Sequence, residues 1–194
     1  SLLILRKRTK MEKTPQNNPL SNLLFAIYSQ LHPNNPIFTM AKQELDGAQA
    51  LIMTLNELGV EYIFGYSGGA ALPIFDALET VKSDIKFVLS RHEQGACHMA
   101  DGYARATGKP AVVLVTSGPG AGNTITGLMT AQMDSVPMIL ISGQQVTWML
   151  GKDAFQEADI FGITIPVVKH NYLVKETNDI PRITREAYHI ATTG

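Results

Sequence analysis

Cysteine is almost missing from this 194-residue chain. Cys97 stands alone and cannot close an internal disulfide, so nothing in the composition points to a secreted, disulfide-stapled fold. Long apolar runs are also absent. The longest, such as 111–115 and 138–141, are strand-sized and far short of the ~20 residues that a membrane-spanning helix needs. Neither charge sign dominates: 16 Lys and Arg stand against 17 Asp and Glu, for a net of -1, which argues against a general nucleic-acid binder. What the chain does have is 45% hydrophobic and 17% charged residues, enough apolar material for one well-filled domain and too much for a disordered chain. These features predict a soluble, intracellular domain with neither membrane nor nucleic acid as partner.

The charge is unevenly placed. Residues 1–13 carry five basic groups against the single acid Glu12, and 14–39 carry no Lys, Arg, Asp or Glu. From Met40 onward 11 basic and 16 acidic groups follow. The break predicts a tail or leader over 1–39 and a domain over 40–194. A basic, acid-poor leader could be an organellar transit peptide, but the segment lacks a clear amphipathic Arg/Ser pattern, which favours a disordered extension or upstream sequence ahead of a start at Met40.

Beyond Met40 the periodicity alternates between helix and strand. Ala48, Leu51, Ile52, Leu55 and Leu58 recur at helical spacing up to Gly59. Short strands are predicted at 62–66, 87–89, 111–116, 138–142 and 167–174. Helices are predicted through Leu78, over 93–107 with Gly108 as the stop, over 123–133, over 155–160 and after Pro181. Strands that are apolar throughout, alternating with helices, predict an α/β fold with a parallel sheet covered on both faces.

Ligands of such sheets bind beyond the carboxyl ends of the strands. Three loops expected there are rich in glycine and small residues: 65–70, 117–123 and 142–145. Each could be an ordinary turn, but three at one sheet edge favour a site. The usual nucleotide signatures fail. Gly118-Pro119-Gly120 runs on to Asn123 where a dinucleotide fingerprint needs glycine, and no phosphate-loop Gly-Lys-Ser/Thr occurs. His92-Glu93 is followed by His98, outside zinc-protease spacing, so no metal is expected there. Glu93 has two readings. Ser90-Arg91-His92-Glu93 has the form of a capping box, in which Glu93 would only bond the Ser90 N–H. Alternatively, Glu93 exchanges a proton with a ligand nitrogen.

The wider pattern resembles a known family. Gly-Tyr-Ser-Gly-Gly-Ala at 65–70, Arg-His-Glu-Gln-Gly-Ala at 91–96, Asp-Gly-Tyr-Ala-Arg at 101–105 and Thr-Ser-Gly-Pro-Gly at 116–120 occur in one order. They are followed by Asp-Ser-Val-Pro at 134–137, Asp-Ala-Phe-Gln-Glu at 153–157 and Lys-His-Asn at 169–171. Together they resemble the N-terminal pyrimidine-binding domain of thiamine-diphosphate enzymes, and within these the acetolactate (acetohydroxyacid) synthase family.

The resemblance implies a role for Glu93. The matching glutamate hydrogen-bonds N1′ of the cofactor aminopyrimidine, favouring the imino tautomer that activates the thiazolium. Pyruvate is then decarboxylated and its two-carbon unit joined to a second 2-keto acid. By the same resemblance Gly118 and Gln156 contact thiamine diphosphate. Gln144 either contacts it or caps a turn. Gly69 and Ala70 line the cleft, Phe155 and Lys169 face the substrate entrance, and Ser135 lies at an FAD.

A homodimer or larger homo-oligomer, with the site at the subunit interface, and a small regulatory subunit are implied. Mg2+ would be bound through a Gly-Asp-Gly run that this chain lacks. The chain therefore reads as the N-terminal part of an enzyme, inactive alone, and cytoplasmic unless 1–39 directs it to an organelle. Ser67 replaces the family's usual proline, and Trp148 stands near the position of an entrance arginine, which predicts altered channel selectivity. A related enzyme such as glyoxylate carboligase or pyruvate oxidase, a split enzyme, or a non-catalytic half-site module are the other readings.

Overall fold

The computed structural model describes residues 2–5 and 45–193. In chain order the main elements are β1 (Leu2–Leu5), α1 (Gly47–Glu57), β2 (Tyr62–Gly65), α2 (Leu72–Thr80), β3 (Lys86–Leu89), α3 (Glu93–Thr107) and β4 (Ala111–Val115). There follow α4 (Pro119–Gly122), α5 (Ile125–Met133), β5 (Met138–Gly143), α6 (Ile160–Thr164), β6 (Asn171–Leu173) and α7 (Ile180–Thr192). The strands form one sheet in the order β3-β2-β4-β5-β1-β6, and every pairing is parallel.

The apolar runs explain the layering. Successive strand residues point to opposite faces, so a strand that is apolar throughout must be covered on both sides. On β4 and β5, Val113, Val115, Met138 and Leu140 join one core with Ala96, Cys97 and Ala100 of α3 and Leu128 of α5. The alternate residues Val112, Leu114, Ile139 and Ile141 join a second core with Leu51 and Leu55 of α1, Ile74 of α2 and Ile183 of α7. The α/β architecture with helices on both faces is therefore as the pattern predicts. Local signals set several ends. Asp46 and Gln49 close a reciprocal capping box on α1, and Gly108 ends α3 in the left-handed conformation, φ 69°. Glycine also sets the α3–α5 distance: a Cβ at Gly127 would meet the Cys97 sulfur at 3.3 Å and press harder still on its Cβ.

Of the segment 1–39 read as a tail or leader, only Leu2–Leu5 is described; there Leu2 pairs with Leu140 of β5 on one side and Asn171 of β6 on the other. The rest of that segment lies outside the described residues. The helix expected over 155–160 begins instead at Ile160. Gln156 adopts φ 56°, incompatible with helix, and Asp159 caps α6 by accepting from the Gly162 N–H at 2.8 Å. Within 167–174 only Asn171–Leu173 is strand, because Ile165–Val167 forms a 3-10 turn.

Candidate functional site

Because all strands run the same way, residues that follow a strand gather at one edge of the sheet and residues that precede one gather at the other. Gly69 and Ala70 follow β2, Glu93 follows β3, Gly118 follows β4, and Gln144, Phe155 and Gln156 follow β5. Seven of the nine residues singled out in the sequence thus share the carboxyl edge. Ser135 precedes β5 and Lys169 precedes β6, so both stand at the amino edge. Ser135 is an exposed turn residue at φ 56°, next to Asp134, which Arg105 pairs at 2.6 Å. Lys169 Nζ donates to the carbonyls of Ile190 (2.8 Å) and Thr193 at the end of α7, a favourable position for a cation.

At the carboxyl edge the glycine-rich loops pack backbone to backbone. Thr116 is their hub. Its Oγ1 accepts from the Ala70 N–H at 3.3 Å, and its carbonyl accepts from Ser142 Oγ at 3.2 Å. A Cβ at Gly143 would meet Ala70 Cβ at 2.8 Å, so only glycine lets these two loops touch. Gly118, at φ 45°, lies against the backbone of Gln156: a Cβ there would sit 2.8 Å from the Gln156 carbonyl carbon and nearer still to its oxygen. Gly120 faces Glu93 in the same way, its missing Cβ position 3.2 Å from Glu93 Oε1.

Glu93 occupies the first position of α3 and is only 8% exposed. The capping-box reading of Ser90 to Glu93 does not hold. The Ser90 N–H donates to the Gly65 carbonyl at 2.8 Å, Ser90 Oγ donates to Gly65 O and His92 O, and His92 is the N-cap. Glu93 Oε2 instead accepts from Asn123 Nδ2 at 3.0 Å, while among the described residues no hydrogen bond reaches Oε1. One turn further along α3, burial pushes the Cys97 thiol up to about 12, with the Glu93 charge adding to the effect.

The loop between β5 and α6 closes over this edge. Gln144 is buried, and its side-chain oxygen accepts from the Gln145 N–H at 2.8 Å, the turn-capping arrangement. Gln145 Nε2 donates to the Phe155 carbonyl. The Glu157 carboxylate collects the N–H groups of Gly151 (2.6 Å) and Ala154 (2.9 Å), which hold it below the usual carboxylate range. Gly151, Asp153 and Gln156 all adopt left-handed φ. Trp148 and Phe155 project from the loop, 71% and 82% exposed.

An aminopyrimidine fits these residues. A buried carboxyl stands beside Gly120 with one oxygen that takes no hydrogen bond among the described residues. Ser117 Oγ, in the same loop, is buried and has no hydrogen-bond partner among the described residues, as expected of a group waiting for a ligand. Among the described residues no group of three or more His, Cys, Asp and Glu could hold a metal ion, and no helix is long and apolar enough to cross a membrane. Sequence reasoning missed Thr116 and Asn123 as site residues, although both lie in or beside the Gly-Pro-Gly loop.

Comparison with known proteins agrees with this geometry. Residues 45–163 match the family model described as "Thiamine pyrophosphate enzyme, N-terminal TPP binding domain". The acetolactate synthase large subunit of Haemophilus influenzae is 56% identical over 152 residues, covering 78% of this chain and 26% of that protein. Isozyme 3 of the large subunit in Escherichia coli is 57% identical over 150 residues, and the large subunit of Lactococcus lactis 56% over 148. The chain thus spans about a quarter of the length of these relatives, covering 26% of each. With the matched region including the loops after β2, β3, β4 and β5, the chain belongs to the thiamine pyrophosphate enzymes, as an N-terminal TPP-binding domain.

Proposed function

We propose that this chain forms the pyrimidine half-site of an acetolactate synthase, which decarboxylates pyruvate and joins the two-carbon unit to a second 2-keto acid. The observation that carries the reading is Glu93: a buried carboxyl with one oxygen free, facing glycines, in a chain 56–57% identical to acetolactate synthase large subunits. Thiamine diphosphate, when bound, supplies the electron sink that accepts the charge left as CO₂ departs. Glu93 would face N1′ of the aminopyrimidine and exchange a proton with it. Gly118 and Gly120 let the loops close tightly around Glu93, and Ser117 Oγ and Gln144 would supply further polar contacts to the cofactor. Phe155 and Trp148, exposed on the loop after β5, would stand at the substrate entrance.

Gly69 and Ala70 would form the wall on the β2 side. The diphosphate and its Mg2+ need a second half-site, which a homodimer or larger homo-oligomer of the complete protein would provide at the subunit interface, in a cytoplasmic enzyme with a small regulatory subunit. FAD at Ser135 would sit at the opposite sheet edge, and no proton step at Glu93 involves it. Lys169, also at that edge, would reach a substrate entrance only from a neighbouring subunit.

The test is Glu93→Gln in the complete protein, assayed for acetolactate from pyruvate. Loss of a positioned proton-transfer group lowers kcat by about 100-fold or more, with melting unchanged. Near-normal turnover would refute the reading, and a product other than acetolactate would move the chain to a related carboligase or oxidase.

A further inference from the structure

Glu93 is fixed to the scaffold only through its backbone at the start of α3, so the aim of its carboxyl depends on what the side chain meets. Its one hydrogen bond among the described residues comes from Asn123, thirty positions away in sequence, at 3.0 Å. Asn123 is an exposed residue whose backbone is held in place. Its N–H donates to the Pro119 carbonyl at 3.0 Å, closing the turn that begins at Gly118. The next residue, Thr124, is fully buried, with Oγ1 donating to the Ala121 carbonyl at 2.6 Å. Asn123 also occupies the position at which the Gly118-Pro119-Gly120 run departs from a dinucleotide fingerprint. There the chain has an amide in place of the third glycine.

We infer that Asn123 is a positioning residue that makes the two oxygens of Glu93 unequal. Its side-chain N–H group holds Oε2, which leaves Oε1, on the side of Gly120, as the oxygen that can meet a ligand nitrogen. An amide donor suits this task because it binds carboxylate oxygen without competing for the ligand proton. The inference rests on the function proposed above and deepens it. Asn123 acts only through Glu93 and touches neither cofactor nor substrate.

The experiment uses the complete holoenzyme saturated with thiamine diphosphate. It compares Asn123→Ala, Asn123→Asp, Glu93→Gln and the Asn123→Ala/Glu93→Gln double variant. Three quantities are read: the rate of deuterium exchange at C2 of the bound cofactor, the cofactor Kd, and the melting temperature. Asn123→Ala should slow exchange roughly 10- to 100-fold, the range seen when a group orienting a reactive ligand is removed, while Kd rises less than about tenfold and melting is unchanged. Asn123→Asp, which keeps the size but faces Glu93 with a second carboxylate, should be slower still. The double variant should exchange no more slowly than Glu93→Gln alone, because a residue acting only through another adds nothing once that other is gone.

Exchange within twofold of wild type in Asn123→Ala overturns the inference while leaving the role of Glu93 intact. So does a double variant in which the two losses multiply. If Asn123→Ala does not fold, Asn123→Asp decides, and wild-type exchange in it is equally fatal. Should Glu93→Gln itself exchange like wild type, the proposed function fails and this inference falls with it.

Discussion

Replacing Gly118 by alanine tests the central packing of the site without touching any charged group. The residue sits at φ 45°, ψ -110°, a region that side chains with a Cβ scarcely enter. Forcing alanine into it costs about 1–3 kcal/mol. The added methyl would also lie 2.8 Å from the Gln156 carbonyl carbon and closer to its oxygen. These are backbone atoms that no rotamer change can move aside, and such overpacking typically costs a further 1–3 kcal/mol.

A combined loss of about 2–6 kcal/mol is expected, which for a domain of this size lowers Tm by roughly 4–24 °C. Gly102→Ala is the matched control. It lies within α3 with nothing within 4 Å of its Cβ position, so alanine there should stabilise by about 0.5–1 kcal/mol. Thermal melts followed by circular dichroism, with guanidinium titrations for both variants, separate the two effects. A Gly118→Ala protein melting within 2–3 °C of wild type, a change worth only about 1 kcal/mol, would refute the apposition of Gly118 and Gln156 and with it the closed geometry of the cleft.

Two other outcomes follow from the same region. Cys97 titrates at about 12 in the folded protein, raised first by burial and then by the Glu93 charge. Its stabilisation is therefore complete below the unfolded pKa near 8.5–9 and is lost as pH rises toward 12, by up to about 1.4 kcal/mol per pH unit. Denaturant titrations at pH 8 and 10 should show this slope in the wild type and its absence in Cys97→Ala, and parallel slopes would contradict it. Glu157→Gln leaves one oxygen to serve the N–H groups of Gly151 and Ala154, so trypsin should cut after the exposed Lys152 several-fold faster with global melting unchanged. An unaltered cleavage rate would mean that the left-handed residues alone hold the loop.

Much of the architecture is settled by the sequence alone. The uninterrupted apolar runs at 111–115 and 138–143 require a sheet covered on both faces, and the two cores built on alternate residues are that requirement met. Gly108 marks the end of α3 because a left-handed terminus is a local need that glycine satisfies. Parallel connectivity then sends every loop that follows a strand to one edge, so the cluster of glycine-rich motifs was legible as a site before any contact was known.

Tertiary structure decided the rest, wherever a group could choose between a near partner and a distant one. Ser90 and Glu93 have capping-box spacing, yet the Ser90 N–H goes to Gly65 and the Glu93 carboxyl to Asn123. Both partners are brought close only when β2, β3 and β4 pair. Residues 155–159 suit a helix locally, but the Glu157 carboxylate satisfies two upstream N–H groups and turns Gln156 left-handed. Ser135 and Lys169 belong to motifs that run on from the site in sequence, and strand direction carries them to the far edge. Propensity and periodicity act over a few residues, whereas the partner of a buried polar group is set by which strands pair, and that is a property of the whole chain.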